Sequence, residues 1–274
     1  MRYEIIQNAS ASLTLPKIGF GTWKIGGGSF QDPKTDPASL AALRSALEIG
    51  YTHFDTAEMY ADGHSEELLG HAIREAGASR EDLFITSKVH PRNLKYNDVL
   101  NSCENSLRRL DMDYIDLYLI HWPGTGTKYE ETFRALNKLV RDGKVKQLGV
   151  SNFNLKLLKQ AQSLSETPII TNQVPYSVSD RSYVRNGILE YCQQNDIILT
   201  AYSPVDEGRL KVDQVLRSVA EAHNVTPYQI ALAWAISQPR VITIPMSSNP
   251  LHIKENFDAA DIELTQDEIE QISQ

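Results

Sequence analysis

A chain of 274 residues with 41% hydrophobic and 23% charged residues has ordinary globular proportions, which excludes a disordered or fibrous protein, and it is long enough for one barrel of about 250 residues or two small domains. The net charge of −8 leaves no basic face to displace counterions from phosphates, so nucleic acid is excluded as a partner and small molecules are favoured. Cys103 and Cys192 form no C-x-x-C pair and neither has a His at ligand spacing, so the reading is no metal site, no disulfide scaffold and a reducing, cytoplasmic setting.

The opening MRYEIIQNASASLTLPKIGFG lacks the apolar core of a signal peptide, and no later run reaches the roughly 18 apolar residues of a membrane span. Its segment YEIIQNASASLTLPKI predicts a β-hairpin. Then a single pattern repeats: a short apolar run, a loop, and an amphipathic segment of helical length. The runs are PKIGFGTW, THFDTA, DLFITSKV, YIDLYLIHW, VKQLGVSN, ITNQVPY, IILTAYSP and RVITIPM. Helical candidates between them include PASLAALRSALEIG, SEELLGHAIREAG, NDVLNSCENSLRRL and YEETFRALNKLVRDG, several ending at Gly where a left-handed C-cap sits. TQDEIEQIS closes the chain as a further helix.

Alternating strands and helices imply parallel strands with helical crossovers, and runs apolar on both faces imply a sheet buried on both sides. Eight such units predict a (β/α)8 TIM barrel, one domain over residues 1–274, with the hairpin closing its N-terminal end. The rival, a doubly wound sheet binding a dinucleotide, calls for G-x-G-x-x-G after the first strand. In GFGTWK, Lys24 stands where the third Gly belongs, and GGGSF and GTGTK do not follow strands.

In a barrel, function gathers at the C-terminal ends of strands. Those ends supply Asp55 and Tyr60, then Lys88, then His121 and Trp122, then Ser151 and Asn152, then Gln173, then Tyr202 and Ser203. A lysine after LFITS is costly to bury unpaired, and Asp55 on the adjacent strand is its natural partner. A cation held there favours the phenolate, so the expectation is that the Tyr60 pKa is brought down towards neutrality, making it a proton donor and acceptor, with His121 holding a carbonyl oxygen. Singly, each group has a bland explanation: a structural ion pair, a packing tyrosine, a core histidine. Four on three consecutive strand ends are harder to dismiss.

At these residues the sequence resembles an aldo-keto reductase. The resemblance runs through GFGTW, HFDTAEMY, ITSKV, DYIDLYLIHWP, LGVSNF, TNQVPY, TAYSP and IPMSS...KENF, nearly the whole chain in order. It implies an NAD(P)H-dependent oxidoreductase in which Tyr60 is the general acid for reducing aldehydes and ketones, Lys88 and Asp55 tune it, and His121 orients the carbonyl. It implies a nicotinamide cofactor bound on the barrel without a Rossmann domain. Ser151, Asn152 and Gln173 match carboxamide contacts, Tyr202 matches the stacking ring, and Thr22 with Ser203, Pro204 and Val205 match further cofactor contacts; Asp206 and Glu207 beside phosphates are an odd choice and are expected to face solvent. Trp23, Met59 and Trp122 match an apolar substrate throat. The chain stops at Gln274, where many relatives continue into a loop that narrows the site, so an open pocket of broad specificity is expected.

For the adenosine end the resemblance points to Ser247, Ser248, His252, Glu255 and Asn256. Met246 stands where a lysine is usual and His252 where an arginine is common, which removes at most about two to four decades of NADPH preference. The remaining donors are Ser247, Ser248, Asn249, the helix N-terminus and Lys254. NADP(H) is expected, with NAD(H) also usable. Two other functions compete: a Schiff-base lyase or aldolase using Lys88, and a cofactor-binding regulatory barrel. A short-chain dehydrogenase is excluded because no Tyr-x-x-x-Lys occurs. A monomer or weak oligomer is expected.

Overall fold

The structure, a computed structural model, describes residues 2–7 and 12–274. Strands β1 (Tyr3–Ile6) and β2 (Leu13–Pro16) pair antiparallel, so the predicted hairpin is present; its turn lies outside the described residues. Ile6 and Leu15 are buried with Leu117, Leu119, Ile170, Ile198 and Ile242. The hairpin thus plugs the barrel by adding two apolar side chains to the cluster inside the ring.

The ring comprises β3 (Phe20–Gly21), β4 (His53–Asp55), β5 (Phe84–Val89), β6 (Ile115–Ile120), β7 (Val145–Ser151), β8 (Ile169–Pro175), β9 (Ile198–Tyr202) and β10 (Val241–Thr243). All neighbours are parallel and follow chain order, one strand from each predicted apolar run. A parallel bridge between Ile18 and Thr243 closes the ring, with Gly19 N–H donating to Thr243 O at 2.8 Å and Thr243 N–H to Lys17 O at 2.9 Å.

Helices α1 (Asp36–Ile49), α2 (His64–Ala76), α3 (Tyr96–Leu110), α4 (Tyr129–Arg141) and α5 (Leu155–Leu164) each cross between successive strands. The predicted left-handed Gly caps end α1 and α2, at Gly50 and Gly77, whereas α3 ends on a left-handed Asp111. Later crossovers are doubled. Helices α6 (Ser182–Arg185) and α7 (Ile188–Gln194) precede β9, and α8 (Gln214–His223) and α9 (Pro227–Ser237) precede β10. Helix α9 is started by a Thr226–Gln229 capping box and is buried from Gln229 to Ile236, which is why it lacks an amphipathic pattern. Helices α10 (Pro250–Asp258) and α11 (Gln266–Ile272) follow.

His53, on β4 beneath the barrel mouth, is buried, and burial lowers its pKa to about 4 despite the Asp55 carboxylate nearby. Because the unfolded chain takes up this proton first, stability is retained above the ordinary value of about 6.5 and is lost as pH falls towards 4, by about 3 kcal/mol at most. Urea denaturation across that window should show a shallower loss in His53→Gln than in the parent protein.

Candidate active site

The C-terminal ends of β4 and β5 carry Asp55 and Lys88, both buried, with Lys88 Nζ donating to Asp55 Oδ1 at 2.5 Å. Two further acceptors complete the ammonium's surroundings: Thr56 O at 2.8 Å and Tyr60 Oη at 3.1 Å. The other Asp55 oxygen accepts from Gln173 Nε2 at 2.7 Å, so every strong charge here has partners. Burial alone would lower the Lys88 pKa; the Asp55 carboxylate, together with Tyr60, outweighs it and holds Lys88 above its usual range, as a cation.

Tyr60 starts a short 3-10 segment, Tyr60–Gly63, in which Ala61 (φ 49°) and Asp62 (φ 54°) are left-handed. Such conformations are strained outside glycine and persist where neighbours impose them. Here Ala61 N–H is tied to Gly28 O at 2.9 Å and Ala61 is buried. The Tyr60 ring is fixed edge-on between Trp23, at 5.1 Å, and His121, at 5.5 Å. Burial raises the Tyr60 pKa, Lys88 counters this only in part, and Asp55 adds to the rise. The expectation of a phenol brought towards neutrality is therefore corrected: the ion pair is close to neutral as a unit, and desolvation wins. The phenol stays protonated, the form needed to donate a proton.

His121 follows β6. Burial holds its pKa well below the usual histidine range, and Lys88 lowers it further, so the ring is neutral and offers one N–H. Its neighbours form a chain of hydrogen bonds across the barrel mouth. Ser151 Oγ donates to Gln173 O at 2.8 Å, Asn152 Nδ2 to Ser151 Oγ at 2.9 Å and to His121 O at 3.2 Å, and Tyr202 Oη to Asn152 Oδ1 at 2.9 Å. Asn152 is itself left-handed, at φ 61°.

These groups surround a cavity of 380 Å³. Asp55, Tyr60 and His121 line one part of it, with Trp23, Met59 and Trp122 also on its wall. Thr22, Ser151, Asn152, Gln173 and Tyr202 line another wall, and Ser203, Pro204 and Val205 continue it. Lys88 lies beneath, fully buried.

Comparison with known proteins supplies the family. A family model described as Aldo/keto reductase family matches residues 17–274. The chain belongs to the aldo/keto reductase family. Among curated relatives, methylglyoxal reductase YeaE of Escherichia coli is 38% identical, over 98% of this chain and 93% of that protein. Glyoxal reductase of Bacillus subtilis is 38% identical, over 94% of this chain and 88% of that protein. Among solved structures, the thermostable aldo-keto reductase Tm1743, crystallised with the inhibitor epalrestat, superposes with a TM-score of 0.94 at 43% identity, covering 100% of this chain and 99% of that one. An aldo/keto reductase from Klebsiella pneumoniae in complex with NADP and acetate gives 0.87 at 36% identity, covering 99% and 94%.

In this aldo/keto reductase the residues read as the adenosine end stand apart from the cavity. Met246 lines the cavity, but Ser247, Ser248, His252, Glu255 and Asn256 do not. Ser248 and His252 are exposed; Ser247, Glu255 and Asn256 are half-buried. Asn249 caps α10 by accepting from Leu251 N–H at 3.0 Å, and Ser247 Oγ accepts from Asn249 N–H at 3.1 Å, so part of the predicted anion nest is already used within the turn. Lys254 pairs with Asp258 at 2.5 Å, one turn along the helix.

Asp206 and Glu207 are both exposed, as expected; Glu207 also lines the cavity and pairs with Lys24 at 2.8 Å, joining the loops after β3 and β9. Lys24, Glu207, Gly21, Ile244 and Pro245 are cavity residues that the strand-end reading missed. The available signal was opposite charge in loops following the first and seventh barrel strands.

Proposed function

We propose that this aldo/keto reductase reduces small aldehydes and ketones to alcohols with Tyr60 as general acid. The observation that carries this is the Tyr60 hydroxyl, on the cavity wall, 3.1 Å from a lysine whose other two donors are already engaged. Lys88 and Asp55 position and polarise the phenol, and the neutral His121 N–H directs the carbonyl oxygen towards it.

The polar wall of the cavity suits a nicotinamide. Ser151 and Asn152 place a hydroxyl and an amide on that wall, groups able to hydrogen-bond a carboxamide, and Tyr202 lines it with a ring. A bound NAD(P)H supplies the hydride; the chain supplies orientation and the proton. Trp23, Met59 and Trp122 give the substrate end an apolar throat.

A lyase using Lys88 is disfavoured, because an ammonium has three N–H donors and all three are engaged here, one by a carboxylate at 2.5 Å. Such a group is not a nucleophile. A purely regulatory barrel leaves the convergence of Tyr60, Lys88, Asp55 and His121 without use.

Within the same reading, residues 1–274 form one domain, a cytoplasmic monomer or weak oligomer acting on small carbonyl compounds; two unpaired, buried cysteines are compatible with a reducing setting. Among the described residues, no helix is long and apolar enough to cross a membrane.

NADP(H) is the cofactor in this reading, as in the Klebsiella relative, with weak discrimination against NAD(H), since Met246 carries no charge and Lys254 is paired. Steady-state reduction of an aldehyde panel with NADPH and NADH in parallel tests activity and cofactor together. The expected ratio of kcat/KM, NADPH over NADH, is below about a hundredfold, and Met246→Lys should raise it about tenfold. No turnover with either cofactor would overturn the reductase reading; a ratio well above a hundredfold in the parent protein would overturn the weak discrimination alone.

A further inference from the structure

A second cavity, of 830 Å³, lies between the loops that follow β5 and β6, and it shares Trp122 with the catalytic cavity. Its described lining carries three cations, Arg92, Lys95 and Lys128, against a single carboxylate, Glu131. That balance is local: the whole chain has 35 acidic residues to 27 basic ones. All three cations are exposed, and none makes an ion pair with a described residue.

Two of the three cations occupy unfavourable places. Lys95 is the N-cap of the 15-residue α3 and Lys128 the N-cap of the 13-residue α4, and neither helix start receives a side-chain cap. Ser, Thr, Asp or Asn would stabilise an N-cap, and a cation there faces the positive end of the helix dipole. Of the first-turn acids, Asp98 and Glu130 do not line the cavity and Glu131 does. The two loops are also joined. Thr132 Oγ1 donates to Leu94 O at 2.6 Å, and a Cβ on Gly124 would collide with Thr127 and lie 2.9 Å from Leu94. The wall is therefore held in place with an excess of positive charge at the cavity, three cations against Glu131.

We propose that this cavity holds an anionic tail of the carbonyl substrate, a carboxylate or a phosphomonoester remote from the reacting carbon. This inference rests on the reductase reading above. With the carbonyl at Tyr60 and His121, a substrate that passes the indole of Trp122, 44% exposed and common to both cavities, brings its far end to Arg92, Lys95 and Lys128.

The test is steady-state reduction with NADPH of an uncharged straight-chain aldehyde, its ω-carboxylate counterpart and an aldehyde ending in a phosphate. Parent protein is compared with the Arg92→Ala/Lys95→Ala/Lys128→Ala variant and with the single charge reversal Lys128→Glu. In the parent, at least one anionic aldehyde should exceed the uncharged one in kcat/KM, and the two anionic arms tell carboxylate from phosphate. The triple variant should lose about tenfold or more on the preferred anion, chiefly through KM, while the uncharged aldehyde stays within about twofold. Lys128→Glu should lower the anion's kcat/KM in the same direction. A parent protein that favours the uncharged aldehyde, or variants that slow all substrates equally, would overturn the subsite. Failure of the parent to reduce any of the three would instead overturn the reductase reading.

Discussion

Tyr60→Phe should lower kcat for carbonyl reduction by about 10² to 10⁴ while leaving nucleotide affinity within about twofold. The substitution removes one hydroxyl and keeps the ring between Trp23 and His121. What disappears is the proton donor that Lys88 holds at the cavity wall; the chain of Ser151, Asn152, Gln173 and Tyr202 does not pass through the phenol. Nucleotide binding followed by protein fluorescence, with turnover measured on the same preparation, separates the two effects. An unchanged turnover number would remove Tyr60 from its role. Because burial holds the phenol above its ordinary pKa, the free enzyme carries the proton throughout the neutral range, and loss of activity at pH 7 to 8 cannot be assigned to its ionisation.

The second large effect is on stability. Lys88→Met leaves Asp55 buried with Gln173 as its remaining side-chain donor, and an uncompensated charge of this kind costs about 3 to 5 kcal/mol. Asp55→Asn/Lys88→Met replaces both charges and should recover several kcal/mol of that loss while remaining as inactive as Lys88→Met. Urea denaturation of the three proteins measures the recovery, and steady-state rates measure the activity. Equal stability of the single and double variants would mean that the carboxylate is hydrated or protonated, contrary to the contacts described. The pair thus separates a requirement of folding from a requirement of chemistry.

Eight strands and four crossover helices were legible because parallel strands buried on both faces appear as short apolar runs and their helices as periodic ones. What stayed illegible has physical causes. The doubled helices α8 and α9 meet at a left-handed Asn224, and α9, buried all round, has no polar face to reveal its period. In the site, Asp55, Lys88 and His121 were visible as polar residues closing apolar runs. Lys24 and Glu207 were not, because an ion pair between loops far apart in the chain leaves no local pattern. The direction of the Tyr60 pKa was misjudged for a different reason: the sequence displays the nearby cation but not the loss of water, and the latter is larger here. The Lys95 and Lys128 N-caps leave no sequence signal, because an unfavourable cap is evident only once the helix starts are located.

The bridge between Ile18 and Thr243 also governs how the protein must be made. Two ends of a long chain have to meet before the ring exists, and contacts of such separation are reached late, because the entropy of closing the intervening loop opposes them. During synthesis, Tyr60, Lys88 and His121 leave the ribosome well before β10, and Ile244, Pro245 and Met246 on the cavity wall come later still. Until β10 arrives, β3 and β9 present unpaired edges, the kind of surface on which nascent sheets associate wrongly. The cavity therefore depends on ring closure, and a chain cut before Val241 forfeits the closing strand as well as one wall of the site.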